Sequence, residues 1–562
     1  MARENNFLLG QGERLTEAVQ ITKGGGIKKP PYSFEDARDH AITWLKESIS
    51  YYSTLPEEAC PQDQIVAAMM LHPRYVSKSD FPTKLLSQVG LSVVGGRSRL
   101  IRPQQWGAKD PPDEVVTDEL YVSTSRSQFQ QWLAVLPTWT PEVPGATELQ
   151  AIEHISAIRP EDKTRSIPSE GSVVLEVVLH GNASSIISAF ERYVTKIRAH
   201  AITDRIRIAR GLTFLPVEAS VELVDEIAEF SFVRVVRAMP SLRPFEPGLV
   251  RRSRAESPFI VNDRPPINSD MRVVIFDGGI SEQSCVDPWV TAIEPPGIGP
   301  RDASYVEHGL AVTSAFLFGP IQAGVEVDRP ICHVDHVRVL DNQGDATGLY
   351  YDVLDRILTY LDENIHKYAF VNLSLGPNMP ISDDDVTRWT AELDARFASG
   401  DVVATVAVGN GGEQDAESHL DRVQPPSDGV NVLSIGATDH RAGQWRRAIY
   451  SSVGPGRAPG VVKPDGVIFG GSSDEPFYIV TPYGTLGAQE GTSFAAPYAL
   501  RSAVAFRAQL GSQLVQDDVS PLSWNPIANI ANIGGIHHVW HIGGYGIIGQ
   551  IRAGLSKDFL RS

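Results

Sequence analysis

From Met271 onward the chain repeats one unit: a short run rich in apolar β-formers, a turn marked by glycine or aspartate, then a helical stretch. The runs are Arg272 to Phe276, Val334 to Leu340, Ala369 to Leu373, Val402 to Val408 and Val432 to Ile435. Most carry apolar residues at successive positions rather than alternate ones. That pattern suits strands buried on both faces, as in a parallel sheet covered by helices on either side. In such α/β sheets functional side chains gather at the C-terminal strand ends.

The region before Met271 reads differently. Residues 1–165 look like a mixed α/β region with no chemistry of its own. Ser33 is placed to cap a helix carrying Ala37, Ala41, Ile42, Leu45 and Ile49. Ile65 to Leu71 and Leu120 to Ser123 read as short strands. Residues 171–245 suggest a small ferredoxin-like α+β domain. There the strand Ser172 to His180 precedes a helix capped by Asn182 or Ser184, with Ile186, Ile187, Phe190, Val194 and Ile197 on one face. Leu212 to Ala219 is a second strand, Val221 to Phe230 a short helix, and Ser231 to Ala238 a third strand. Proline-rich residues 246–268 read as a linker, and 269–562 as the main domain with a C-terminal closing segment.

Composition narrows the partners. The chain has 562 residues, 42% of them hydrophobic, with 50 Lys and Arg against 68 Asp and Glu, a formal charge of −18. Such acidity disfavours nucleic acid and anionic lipid. No run approaches the roughly 18 apolar residues of a membrane span, and the three-residue patch Phe7-Leu8-Leu9 is too short for a secretory signal. Cys60, Cys285 and Cys332 are odd in number and widely spaced, which suits a reducing cytoplasm.

Four segments carry candidate chemistry. VVIFDGGI puts Asp277 directly after an apolar strand, and EHGLAVTSAFLFG puts His308 at the start of an apolar helix. VVATVAVGNGG ends a strand at Gly409-Asn410-Gly411, where an amide held between glycines can donate to a developing negative oxygen. EGTSFAAPYAL puts Ser493 at a helix start, where free N–H groups and positive potential face any charge formed beside it. Singly, each is ordinary: a turn aspartate, a surface histidine, a Gly-Asn-Gly turn, an N-cap. Their combination and order are not.

Together these segments resemble the subtilisin-like serine peptidases, whose triad order is Asp, His, Ser. VNLSLG (371–376), VNVLSIGATD (430–439), YSSVGP (450–455), VVKPDG (461–466) and HIGGYGIIG near the C-terminus resemble further segments of that family. The chain departs from it at Gly278, where Ser or Thr is usual, at Leu310, where Thr is common, and after Lys-Pro-Asp. The resemblance implies a subtilisin-like parallel sheet and a serine endopeptidase acting through an acyl-enzyme. Asp277, His308 and Ser493 would be catalytic, and Asn410 would serve the oxyanion. Ser374, Leu375 and Gly376 would line an extended peptide, with Ala407 and Gly409 beside the pocket for the residue before the cut. The small residues there predict a roomy pocket.

The resemblance also implies that residues 171–245 correspond to a propeptide domain, either cut off on maturation or retained as scaffold or gate. FLLGQGERLTE resembles bacterial subtilases encoded beside an ATPase of the AAA type, which implies such a partner besides the polypeptide substrate. No cofactor is expected. Many members hold structural calcium, but no ligand loop is identifiable here, and His333 with His336, three apart on a strand, point to opposite faces. Two rivals are a catalytically silent subtilase acting as a binding or regulatory module, and an esterase, which would need Gly-x-Ser-x-Gly.

Overall fold

The computed structural model describes residues 29–106, 112–242, 253–343, 346–442, 444–457 and 461–510. FLLGQGERLTE, HIGGYGIIG and the C-terminal closing segment lie outside them. Helix α1 (Phe34–Tyr52) begins as its sequence predicts, with the Asp36 backbone N–H donating to the Ser33 hydroxyl at 3.0 Å. With α2 (Thr83–Gln88) and α3 (Arg126–Val135) it packs on an antiparallel sheet of β1 (Gln64–Leu71), β2 (Ser92–Ile101), β3 (Val115–Ser125) and β4 (Ile152–Ala157), in the order β2-β3-β1-β4. Strand β3 outruns its expected span because residues 115–119 pair with 97–101 of β2.

A second sheet follows from α4 (Pro160–Lys163), β5 (Thr164–Arg165), β6 (Ser172–His180), α5 (Ser184–Lys196), β7 (His200–Ala201), β8 (Arg207–Ala209), β9 (Leu212–Ser220), α6 (Val224–Glu229) and β10 (Val233–Ala238). Its order is β5-β10-β6-β9-β7, with β8 on β9. Neither expected residue caps α5: Ala183 holds that position without a side-chain bond. The helix is held instead by burying Ala189, Phe190, Tyr193 and Val194, each large apolar side chain being worth about 1.5–3 kcal/mol.

The C-terminal half is an α/β layer structure. Strand β11 (Ser253–Pro258) lies within the stretch expected as linker. After it come β12 (Arg272–Asp277), β13 (Val290–Ile293), α7 (Ala303–Phe318), β14 (His333–Arg338), α8 (Ala346–Asn364), β15 (Phe370–Leu373), α9 (Arg388–Phe397), β16 (Val403–Ala407), β17 (Leu433–Thr438), β18 (Gly466–Phe469), β19 (Phe477–Val480), β20 (Thr485–Gln489) and α10 (Thr492–Leu510). Seven of the strands form a parallel sheet, β13-β14-β12-β15-β16-β17-β18, while β11-β20-β19 make a small antiparallel one. Successive residues of β12 face opposite layers. Val273 and Ile275 join Leu310, Val312, Ala495 and Leu500 from α7 and α10. Val274 and Phe276 join Leu354, Ile357, Trp389 and Leu393 from α8 and α9. Both faces are dry, which is why these strands need apolar residues in succession.

The second apolar layer continues through α8 to Val178, Phe214 and Val235 of the six-stranded sheet. The seam between them is charged. Arg205 meets Asp352 at 2.8 Å, Arg207 meets Asp355 at 2.7 Å, and Arg234 meets Asp385 at 2.7 Å. Asp384 receives Arg99 and Arg165, each at 3.1 Å, and Arg97 at 3.4 Å. Every one of these arginines precedes residue 240, and every partner lies in the C-terminal half. At the centre, buried Glu176 takes Arg237 through two nitrogens at 2.7 and 2.5 Å and the Tyr351 hydroxyl at 3.0 Å. Among the described residues no helix is long and apolar enough to cross a membrane.

Candidate active site

Strand β12 lies between β14 and β15, where the strand order reverses, and Asp277 is its last residue. A crevice opens at such a point in an open parallel sheet. Asp277 is fully buried, and its Oδ1 accepts from the Gly278 N–H at 2.7 Å and faces His308 Nδ1 at 2.8 Å. Its Oδ2 has no hydrogen-bond partner among the described residues. His308 sits in the second turn of α7 with a side chain only 12% exposed. With Nδ1 given to the carboxylate, Nε2 is the nitrogen left for chemistry.

Two departures from the family pattern have steric reasons. A Cβ at Gly278 would fall 2.1 Å from the Tyr305 carbonyl oxygen of α7, so this approach of turn to helix admits only glycine. Leu310 is fully buried within the apolar layer under α7 and α10.

Ser493 occupies the first turn of α10, whose leading N–H groups the helix itself does not use. Its hydroxyl donates to the Ser374 carbonyl at 3.4 Å, while the Ser374 hydroxyl donates to the Ser493 carbonyl at 2.9 Å. No hydrogen bond joins Ser493 to His308 in this conformation, although the ring of Phe494 lies 6.4 Å from that of His308. Asn410, from the end of β16, accepts at Oδ1 from the Thr492 N–H at 3.0 Å and the Thr492 hydroxyl at 2.9 Å. Because a backbone N–H can only donate, these bonds fix which way the amide faces and leave Nδ2 as a free-standing donor.

Ser374, Leu375 and Gly376 follow β15 directly and are buried, and Leu242 forms an antiparallel bridge with Pro377 beside them. The Asn378 N–H donates to the Ser241 carbonyl at 2.8 Å. Ala407 closes β16, and Gly409 follows at φ +104°. The space beside Gly409 is less open than its small neighbours predict. Gln424, buried and remote in sequence, lies so close that a Cβ on Gly409 would meet its Oε1 at 2.2 Å. Its Nε2 donates to Asn378 Oδ1 at 3.3 Å, spanning the gap between the two segments.

His336, on β14, belongs to this site, although its spacing from His333 points only away from a metal. It is fully buried behind Asp277, with Nε2 accepting from the Gly279 N–H at 3.0 Å and Nδ1–H donating to the Thr313 hydroxyl at 2.8 Å. Burial lowers its pKa to about 4, with nearby Asp277 acting in the opposite direction. The available signal is a histidine set in the middle of a buried strand beside the one that ends in Asp277.

Residues 281–521 match the profile described as the subtilase family. That stretch belongs to the subtilase family. The subtilase family is one of serine peptidases, and the matched stretch contains His308, Asn410 and Ser493 and begins just past Asp277. No protein of curated function matches the chain. Among solved structures, it is similar to the epidermin leader peptide processing serine protease EpiP of Staphylococcus aureus. That match has 15% identity and a TM-score of 0.39, covering 62% of this chain and 91% of that one. The self-cleaved protease domain of PatA is similar at 20% identity and a TM-score of 0.33, with 45% of this chain and 84% of that one covered. The prenylagaramide maturation protease PagA stands at 20% identity and 0.31, covering 43% and 77%.

Proposed function

We propose that this subtilase is an endopeptidase that cuts peptide bonds through Ser493, His308 and Asp277. The observation that carries the reading is the buried Asp277–His308 pair at 2.8 Å, set at the switch point of the sheet. In this reading the Ser493 hydroxyl leaves the Ser374 carbonyl and turns to His308 Nε2, a local rotation of a kind common between resting and substrate-bound sites. Its oxygen attacks the scissile carbonyl as His308 takes the proton. Asp277 holds the imidazole in the required tautomer and stabilises its cation. Asn410 Nδ2 and the Ser493 N–H receive the oxyanion. The equivalent asparagine donor in subtilisin is worth about 2.7–4 kcal/mol. His308 then protonates the leaving amine, and water releases the acyl group by the same steps in reverse.

The backbone at Ser374 to Gly376 pairs with an extended substrate in this scheme, as an added strand. Residues 171–245 stay attached as scaffold or gate, a reading supported by the Tyr351 hydroxyl that donates to buried Glu176 and by the bridge at Leu242. The three free thiols fit a cytoplasmic setting, and the resemblance of FLLGQGERLTE adds an AAA-type ATPase as regulatory partner.

The test is labelling by a fluorophosphonate probe and cleavage of a mixed peptide library, with and without the ATPase. Wild type is expected to label and cut, and Ser493→Ala to do neither. Wild type unlabelled in every condition would leave a silent binding module.

A further inference from the structure

We infer that His336 is a positioning residue for the Asp277–His308 pair, a neutral imidazole that ties the Asp277–Gly279 turn to the helix carrying His308. This rests on the reading of Asp277 and His308 as catalytic. Strands β12 and β14 run side by side, with His336 level with Ile275, two residues before Asp277. From there the ring reaches past the strand end to the turn. Gly279 offers a backbone N–H, so His336 Nε2 must be the unprotonated nitrogen that accepts it. In the neutral ring the proton then resides on Nδ1, which donates to the Thr313 hydroxyl. Thr313 is also fully buried and lies on α7, the helix of His308.

The three pieces are in tight contact. A Cβ on Gly309, next to His308, would fall 2.3 Å from the Gly279 carbonyl oxygen and 3.1 Å from His336 Cε1. One ring therefore sets the distance between the strand end that holds the carboxylate and the helix that holds the base. An apolar side chain at 336 would fill the space but leave the Gly279 N–H buried and without an acceptor, a cost the turn can relieve only by moving. Movement of about 1 Å in such a pair costs on the order of 100-fold in rate.

The experiment compares His336→Leu, His336→Gln and Thr313→Val in the full chain. His336→Leu is expected to lower kcat by about 100-fold, with KM changed by less than about twofold, because the lost geometry matters in the transition state. Gln, which carries one acceptor and one donor, is expected to recover most of the loss. A folded His336→Leu enzyme with wild-type kcat overturns the proposal. If that variant does not fold, Thr313→Val decides, and an unchanged kcat there overturns it. A second readout needs no activity: the low-field proton of His308 Nδ1–H in the NMR spectrum. Its shift or loss in Thr313→Val supports the proposal and its constancy overturns it, even if wild type fails to label and the peptidase reading falls.

Discussion

Two buried carboxylates, Asp277 and Glu176, meet opposite treatment in this molecule. Glu176, in the seam, has both oxygens engaged: Arg237 grips one through two nitrogens and Tyr351 donates to the other. Burial works against the Arg237 charge, yet Glu176 more than offsets it and holds the guanidinium pKa above its ordinary value. Asp277 has one oxygen engaged and one without a partner among the described residues, and its histidine keeps a nitrogen free. A carboxylate that ties two parts of a chain together has both oxygens engaged. A pair that acts on something else must keep valences open and relies on neighbours such as His336 for rigidity.

The contrast breaks most visibly at Asp277. Asp277→Asn is expected to lower kcat by about 10⁴-fold with little change in thermal stability, since the amide favours the wrong histidine tautomer. Steady-state rates and melting curves recorded on the same preparation check this, and a large loss of stability would make Asp277 structural. Next in size is Glu176→Gln. Leaving Arg237 buried without its counter-charge is expected to cost about 3–5 kcal/mol, read by denaturant unfolding. The companion double variant Glu176→Leu with Arg237→Met sharpens the point. It should recover most of that loss, because a buried pair replaced by apolar packing is often neutral. The smallest effect belongs to the rim of the seam. Asp384→Asn weakens three arginine contacts at a side chain 22% exposed, and about 1 kcal/mol is expected after solvent screening. The loss should shrink in high salt.

Much of the parallel sheet was legible because its strands must be apolar on both faces. Asp277, His308, Asn410 and Ser493 stood out because each sits at a strand end or helix start, and the structure brings those ends together. What escaped the sequence depends on contacts between distant residues. His336 makes its bonds with Gly279 and Thr313, and spacing along its own strand says nothing of either. Gln424 reaches the Gly409 backbone from a loop beyond Asn410. Glu176 sits in SVVLEVVLH as an isolated charge, and its partners are in β10 and α8. Gly278 reads as a lost serine until the carbonyl of Tyr305 is seen pressed against it.

The route of the chain past the crevice has a mechanical consequence. Leu242 is stitched to Pro377, just beyond the Ser374–Gly376 segment, and when the described chain resumes as β11 it is stitched to β20, the strand that leads into the Ser493 turn. Tension applied to the N-terminal half at Leu242 therefore reaches the segment that follows Ser374–Gly376 directly. A force applied there need not touch Asp277, His308 or Ser493 to act on their surroundings.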